Sequence, residues 1–519
     1  MSEEIKTNIN YDALPPSNEK YVAESYNQIM KGRLDKIKAL NEVGKLGYTN
    51  DGFMPEDHAA DLKAAYAQKP KEELEALNVH AKVAGRIMSM RVMGKCSFAH
   101  IKDQSGQIQL FVNRNIIGDE NYAAYKKFDM GDFVAAEGQL FITEKGDLAI
   151  RVSMVRLLTK SLRPLPEKFH GLTDTEARYR MRYLDLIVND DVRETFYKRS
   201  LITQKIREFM VRNRFMEVET PMLQIQAGGA TARPFKTHHN ALDHDMYMRI
   251  APELFLKRLV VGGFERVFEM NRCFRNEGLD RKHNPEFTTI EFYMAYGTYR
   301  VLMEFTEQLV QFLCDEVCGT RKIEYNGNTI DFDGSWRRLR VREGVAAALG
   351  VDEDKLSDRA FLEDACAHLP EPLRADDLKA KSDGHLIMEI FDQKVEETLI
   401  QPTFVYEYPA SVSPLSRRNE QDPNYVDRFE IFVSGFELGN AFNELNDALD
   451  QRQRFLDQIM NKLAGDEEAH PMDDDYVRAL EYGMPPCAGE GIGVDRLVML
   501  LTGSESIRDV ILFPTMKPE

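Results

Sequence analysis

The sequence predicts an α+β chain: a five-stranded β-barrel, then a larger domain with a mainly antiparallel sheet flanked by helices. Three observations lead there. The length of 519 residues exceeds what one hydrophobic core normally serves. Between Val79 and Thr159, apolar and polar residues alternate over short runs separated by turn residues, the pattern of half-buried strands. Beyond that, strand-like runs are interspersed with stretches of helical period, which suits a layered arrangement of sheet and helices.

Taken in order, residues 1–75 read as a polar tail followed by helices, with turn signals at Gly47, Gly52 and Pro55. The N-terminus, MSEEIKTNINYDALPPSNEK, has no apolar centre of a secretory signal. No apolar run reaches the ~18 residues of a membrane span, so a cytoplasmic protein with no membrane partner is expected. Residues 76–160 carry VHAKVAGRIMSMR, CSFAHIKD, QIQLFVNR and DFVAAEGQLFITEKGDLAIRVSMVRLLT, broken at Gly94, Gly106, Gly131 and Gly146. Five strands in this space suit a small closed barrel such as an OB-fold. Such a barrel can bind single-stranded nucleic acid on an exposed face; a structural or protein-binding barrel fits the pattern equally. SLRPLPEKFHGL (161–172) reads as a linker with two prolines.

Residues 173–519 form the second domain. A basic helix at 193–214 precedes the strand signal MEVETPML (216–223), where Pro221 marks an edge or a sharp turn. Strands around 246–250 and 266–270, a hairpin at 285–295, and strands near 403–407, 428–433 and 436–442 build the sheet. The region 341–400 is helical and polar, with no chemistry attached.

Hydrophobic content of 43% and 29% charged residues describe a soluble globular protein. The net charge of -18, taken alone, argues against a nucleic-acid partner. KGRLDKIKAL (31–40) and KRSLITQKIREFMVRNRF (198–215) are nevertheless basic with helical period, as binding patches or as solvated helix faces. Six cysteines with no C-x-x-C pair fit a reducing cytosol.

The chemistry concentrates in FERVFEMNRCFRNEGLDRKHNPEFTTIEFYMAY (264–296), where a loop dense in charge joins two apolar runs. Arg275 offers a planar fork for phosphate oxygens, and Phe287 a face for a purine. No P-loop occurs, and Gly489, Gly491 and Gly493 do not match the dinucleotide fingerprint. Those glycines let backbone approach a ligand, and Arg496 follows near a helix start, where the helix dipole also favours phosphate. The alternative is an ordinary helix start. In RFEIFVSGFELGNAFNELND, a two-residue turn at Ser434-Gly435 would set Ile431 against Leu438 and place Glu430 and Glu437 as diagonal neighbours, roughly 7 Å apart. Two such carboxylates call for magnesium between them, or one pairs with an arginine. Asn440, Phe442 and Glu444 fall on the opposite face by period-2 counting, and a bulge near Gly439 is needed to unite the two sets.

FMEVETPML, FRNEGLDRKHNPEFTTIEFYMAY and GEGIGVDRLVMLLTGSESIRDVILFP resemble motifs 1, 2 and 3 of the class II aminoacyl-tRNA synthetases. With the barrel ahead of them, AGGATARPFKTHHNALD, MRIAPELFLKRLVVGGFERVFE and GNAFNELNDALDQRQRF resemble the bacterial-type lysyl-tRNA synthetases. The resemblance covers about residues 75–515. It implies that 76–160 binds the anticodon and 173–519 is catalytic. It also implies lysine–tRNA ligation, with L-lysine activated by ATP and passed to the 3′-terminal adenosine of tRNA(Lys). Arg275 and Arg496 are then the catalytic residues, and the ATP site comprises Arg275, Glu277, His283, Phe287, Glu430, Gly493 and Arg496. Gly229, Glu253, Arg275, Glu291, Tyr293, Asn440, Phe442 and Glu444 would hold lysine, while Glu430 and Glu437 would hold Mg2+, about three ions per subunit in such enzymes. Arg91, Phe98, Gln109 and Asp147 would read the anticodon; at this last position the family usually has glutamate. Pro221 in motif 1 implies a homodimer. The rival readings are an enzyme that lysylates a protein, although relatives of that kind lack the barrel, and an inactive paralogue, although Arg275, Arg496, Glu430 and Glu437 are all kept.

Overall fold

The computed structural model describes residues 24–49, 52–166, 172–230, 232–463 and 471–518. The polar tail expected before residue 24 and the end of the expected linker, 167–171, lie outside the described residues. Contacts divide the chain into two compact units, Met1–Gly171 and Leu172–Glu519.

In the first unit, helices at Glu24–Asn41, Ala59–Tyr66 and Lys71–Leu77 precede five strands: β1 (His80–Met93), β2 (Cys96–Lys102), β3 (Gln107–Asn113), β4 (Phe133–Ile142) and β5 (Leu148–Thr159). They close into a barrel in the order β1-β2-β3-β5-β4. Alternation turns Val83, Ile87, Ile101, Leu110, Val134 and Ile150 into the core. The opposite face carries Arg91, Phe98 and Gln109. Opposite Glu137 and Gly138 of β4, β5 carries a bulge in which Ser153 is the extra residue. A β-carbon at Gly138 would run into the carbonyl of Arg151, so only glycine fits there.

The second unit contains β6 (Met216–Glu217), β7 (Leu223–Gln224), β8 (Lys236–His239), β9 (His244–Met248), β10 (Arg266–Phe274), β11 (Glu286–Ala295), β12 (Lys322–Tyr325), β13 (Asn328–Asp331), β14 (Arg337–Arg340), β15 (Thr403–Pro409), β16 (Tyr425–Val433), β17 (Phe436–Asn443) and β18 (Cys487–Gly493). The large sheet runs β14-β15-β16-β17-β18-β11-β10-β6. Its inner pairings are antiparallel; only β14–β15 and β6–β10 are parallel.

One face of this sheet is packed by the helices Asp190–Arg212, Tyr299–Leu313 and Val494–Thr502, which contribute Ile202, Ile206, Leu302, Leu309, Leu497 and Val498 to the main core. The other face is open over its centre and forms the floor of the site. The segment 341–400 builds a separate core, in which Leu362, Leu386, Ile390 and Phe391 pack on Val405 and Phe432 of the sheet. Its apolar content therefore buttresses one flank.

Three sequence expectations differ from the fold, and one unassigned run finds its place. MEVETPML is not one strand: β6 edges the large sheet and β7 joins a separate three-stranded sheet, with Pro221 in the turn between them. Residues 285–295 are one strand, not a hairpin. The hairpin pairs β10 with β11, and the charged run 275–285 is its connection. The glycine run, given no element from the sequence, is a central strand, β18, and the helix start expected near Arg496 is at Val494. In the β16–β17 hairpin, Ser434 and Gly435 both have positive φ (54° and 71°), as a tight primed turn requires. The register runs Val433↔Phe436 and Phe432↔Glu437, then steps to Ile431↔Gly439 and Glu430↔Asn440. Leu438 is thus an extra residue in β17, and Ile431 does not face it.

Candidate active site

That extra residue decides the composition of the site. Downstream of the bulge, Asn440 comes opposite Glu430 and Phe442 opposite Arg428, on the same face. Continuing across the sheet, one row reads Glu430, Asn440, Gly491, Glu291, Glu269, and the next reads Arg428, Phe442, Gly489, Tyr293, Val267. The alternate positions of β18 are glycines, so this face is vacant at the centre. Above it lies a cavity of about 420 Å3, lined by Arg275, Glu277, His283, Phe287, Arg496, Glu430, Glu437, Asn440, Phe442, Glu291, Tyr293, Glu253, Gly229 and Gly493 among others.

One end of the cavity is cationic. The Arg275 guanidinium carbon lies 5.2 Å from the centroid of the Phe287 ring. Its Nε is buried without a hydrogen-bond partner, so the fork is not consumed by the protein. Arg496 donates to the carbonyl of Glu437 at 2.6 Å and to His283 Nε2 at 3.1 Å. His283 Nδ1 lies 2.8 Å from Asp280 Oδ2, which fixes the ring as Nδ1–H. Behind Arg496, Asp495 accepts from the backbone N–H of Thr288 at 2.7 Å and pairs with Arg199 at 2.6 Å, tying the helix start to β11. Lys282 donates to the carbonyl of Gly435 at 3.1 Å, holding the charged loop against the β16–β17 turn.

The other end is anionic. Burial, then the neighbouring Glu253, pushes the Glu291 carboxyl up to about 8. The Tyr293 hydroxyl donates to Glu291 Oε2 at 3.4 Å. Gly229 has φ +89°, and a β-carbon there would stand 2.9 Å from that of Glu253, so the position requires glycine. Glu444 departs from its expected place. It is not among the residues lining the cavity; it sits against Gly489 and the Tyr293 ring, fully buried, and pairs with Lys257. Its strand ends at Asn443, but Glu444 N still bonds the carbonyl of Cys487, the next pair in the β17–β18 register, so its side chain keeps the face of Asn440 and Phe442.

Between the two ends stands Arg428, which the sequence reading did not single out. It donates to Asn440 Oδ1 at 3.0 Å and to Ser413 Oγ at 2.8 Å, and it pairs with Glu430. The open alternative of a carboxylate–arginine pair is therefore realised at Glu430, while the Asn440 amide N–H2 is left for the cavity. Tyr408 donates to the other oxygen of Glu430 at 2.8 Å. Burial pushes Glu430 up to about 7, whereas the Glu437 side chain is 43% exposed. Among the described residues no group of three His, Cys, Asp or Glu stands ready to hold a metal ion. Two carboxylates beside a cationic phosphate-type clamp suit a hard cation whose remaining ligands are phosphate oxygens and water.

On the barrel, Phe98 faces Arg91 on β1 and Phe111 on β3, with ring centroids of the two phenylalanines 5.1 Å apart. Phe111 meets Phe141 edge-on at 5.9 Å, and Arg151 lies 4.8 Å over Phe141. Gln109 Nε2 lies 3.4 Å from His100 Nε2. Asp147 sits exposed in the β4–β5 turn, its backbone N–H bonded to Thr143 Oγ1 at 3.0 Å, so its carboxylate is not part of that bond. This is a half-exposed aromatic platform with polar edges, as single-stranded bases require.

Comparison with known proteins gives a consistent picture. Residues 174–517 match the family of class II tRNA synthetases (D, K and N), and residues 81–158 match the OB-fold nucleic acid binding domain. The chain is 54% identical over 493 residues to the lysine–tRNA ligase of Salmonella paratyphi C, covering 95% of this chain and 97% of that one. The lysine–tRNA ligases of Salmonella newport and Salmonella heidelberg match to the same extent, 54% over 493 residues.

Beneath the site, Glu490 of β18 points into the main core, where its carboxyl meets only the Thr306 hydroxyl, at 2.6 and 2.8 Å. Burial raises it from 4.5 to about 8. A raised carboxyl is neutral in the fold while the unfolded chain ionises. Stability is therefore lost as pH rises from about 4.5 and levels off above about 8, at ~1.4 kcal/mol per pH unit between them. Glu490→Gln is expected to melt above the parent at pH 8, with the difference shrinking towards pH 5. Equal melting temperatures across that range would contradict a neutral buried acid.

Proposed function

We propose that this chain, which belongs to the class II tRNA synthetases of the D, K and N group, is a lysine–tRNA ligase. It activates L-lysine with ATP to lysyl-adenylate and pyrophosphate, then passes lysine to the 3′-terminal adenosine of tRNA(Lys). The observation that carries this reading is a single cavity with an uncommitted arginine fork at one end and buried carboxylates at the other.

In this reading Phe287 stacks the adenine and Glu277 meets its amino group. Arg275 holds the α-phosphate and the amino-acid carboxylate, and Arg496 with His283 takes the outer phosphates of a bent ATP past Gly493. Glu253 and the carbonyl at Gly229 take the lysine α-ammonium, and Asn440 its carboxylate. The side-chain ammonium enters between Glu291, Tyr293 and Phe442 towards Glu444. Magnesium bound at Glu430 and Glu437 would neutralise phosphate charge. A lysine carboxylate oxygen forms its bond to the α-phosphorus as the bond to the pyrophosphate oxygen breaks. The ribose hydroxyl then attacks the acyl carbon, and AMP leaves. The arginines act by fixed charge and positioning, with no side chain required as a base.

Residues 76–160 are read as the anticodon-binding domain, with Phe98 stacking a base and Arg91, Gln109 and Asp147 contacting base edges or backbone. A two-fold homodimer is supported by the exposed apolar residues Tyr197, Val211, Met216 and Ile225, which run along the helix Asp190–Arg212, the motif 1 segment and the residues just after it. Six free cysteines suit the cytoplasm.

Arg275→Ala is expected to abolish lysine-dependent ATP–pyrophosphate exchange without altering the sedimentation of the protein; exchange near the parental rate would refute its role. Phe98→Ala is expected to reduce tRNA charging by about tenfold or more while sparing exchange, since base–aromatic stacking is worth ~1–3 kcal/mol. Equal losses in both assays would make Phe98 a folding residue. An arriving ammonium favours ionised Glu291, so lysine binding should expel a proton and tighten as pH rises from 6 to 8. Calorimetry in buffers of different ionisation enthalpy measures that proton, and its absence at pH 7 would remove Glu291 from the pocket.

A further inference from the structure

We propose that Lys257 is a positioning residue that sets amino-acid specificity: its ammonium neutralises one of the two carboxylates at the end of the pocket and aims the other's surplus charge at the substrate. This rests on the lysine–tRNA ligase reading of the same site.

Lys257 lies one turn after Glu253 in the helix Glu253–Val261, and its side chain is completely buried. Its Nζ donates to Glu253 Oε1 at 2.5 Å and pairs with Glu444. It also stands 5.2 Å from the centroid of Phe442 and 5.9 Å from that of Tyr476. Glu253 and Phe442 line the cavity, and Glu444 lies against Gly489 of its floor. One buried cation thus touches both an expected α-ammonium acceptor and an expected side-chain acceptor, and contributes nothing to the main core of the domain.

Burying an ammonium is costly unless it is fully paired, and two carboxylates around one ammonium leave a surplus negative charge. That surplus has a direction. The second oxygen of Glu444, Oε1, is buried and accepts no hydrogen bond. It lies where a β-carbon on Gly489 would stand, beside the Tyr293 ring, and Gly489 lines the cavity. The uncompensated oxygen therefore reaches the cavity floor only because position 489 has no β-carbon, and it shares that place with the Tyr293 ring. With Lys257 on one side of the carboxylate, the other oxygen keeps charge for one more ammonium. A neutral side chain would leave Glu444 Oε1 bare.

Without Lys257 the same carboxylates lose this property. Burial pushes Glu253 and Glu444 up, and the neighbouring Glu253 raises Glu444 further; against this, Lys257 is the largest influence pulling each down, with Arg428 also lowering Glu253. Removing Lys257 drives both carboxyls further towards the protonated form, and a protonated acid does not attract an ammonium.

The test uses the full chain with L-lysine and ATP. Lys257→Met keeps the length of the side chain and removes its charge. The lysine KM in pyrophosphate exchange, and the lysine Kd by calorimetry, should rise by about 100-fold, the scale of breaking a buried charge pair, while the ATP KM stays within about twofold. In Lys257→Ala, added n-propylammonium should restore at least part of the lost lysine affinity. Unchanged lysine affinity, or lysine and ATP constants worsening together without rescue, would overturn the proposal. A crystal structure of the unaltered protein with lysine bound decides the matter if neither variant folds. The proposal requires Lys257 to remain on Glu444 with the ligand ammonium on the opposite carboxylate oxygen, and it falls if the ligand displaces Lys257. Failure of the unaltered protein to exchange pyrophosphate in response to lysine would instead sink the ligase reading itself.

Discussion

A strand with three successive glycines on one face runs through the middle of the large sheet, and the site exists because of it. Gly489, Gly491 and Gly493 alternate along β18 with Ala488, Glu490 and Ile492, which point into the helical core. Glycine inside a strand weakens it through chain entropy and lost packing. Here β17 and β11 pair with it on both sides and hold the backbone in place. The vacancy becomes usable space. At Gly489 a β-carbon would collide with Tyr293 and Glu444; Gly491 lies beside Glu291; Gly493 opens the helix that carries Arg496.

Around this vacancy the charges are sorted rather than balanced in place. Arg275, Arg496 and Lys282 gather where the charged loop meets the β16–β17 turn, and Glu253, Glu291 and Glu444 gather at the far end, where burial raises their proton affinity. Arg428 stands between the groups and pins both Glu430 and Asn440. Such separation raises the energy of the empty site. A ligand that is anionic at one end and cationic at the other relieves it, which is the charge pattern of a nucleoside triphosphate beside an amino acid with a basic side chain.

Much of this was legible in the sequence, and the exceptions share a cause. The barrel was readable because each strand alternates and each turn carries glycine or aspartate, so local pattern and closed topology agree. The residues expected to surround the ligand do gather on one cavity, except Glu444. β18 was missed because glycine has no strand propensity; only its two neighbours make it a strand. Leu438 was missed as the bulged residue because period-2 counting cannot show which residue is skipped, though the need for a bulge near Gly439 was clear. Arg428 and Lys257 were passed over among 67 basic residues because burial, not composition, distinguishes them. The Glu253–Lys257 spacing of one helical turn was nevertheless a visible signal.

By itself, then, the sequence determined the kinds of chemical group present and the local runs that carry them: an arginine-rich loop between strands, a glycine-spaced segment before a helix, paired acids in a hairpin, aromatics on a barrel. These follow from short-range pattern, which chain geometry translates directly. Which groups share a face, which acid is reached through a glycine and which cation is spent inside the protein depend on strand register and burial. Those are set by contacts between segments far apart in the chain, as when Thr288 meets Asp495, 207 positions further on, and only the folded structure decides them.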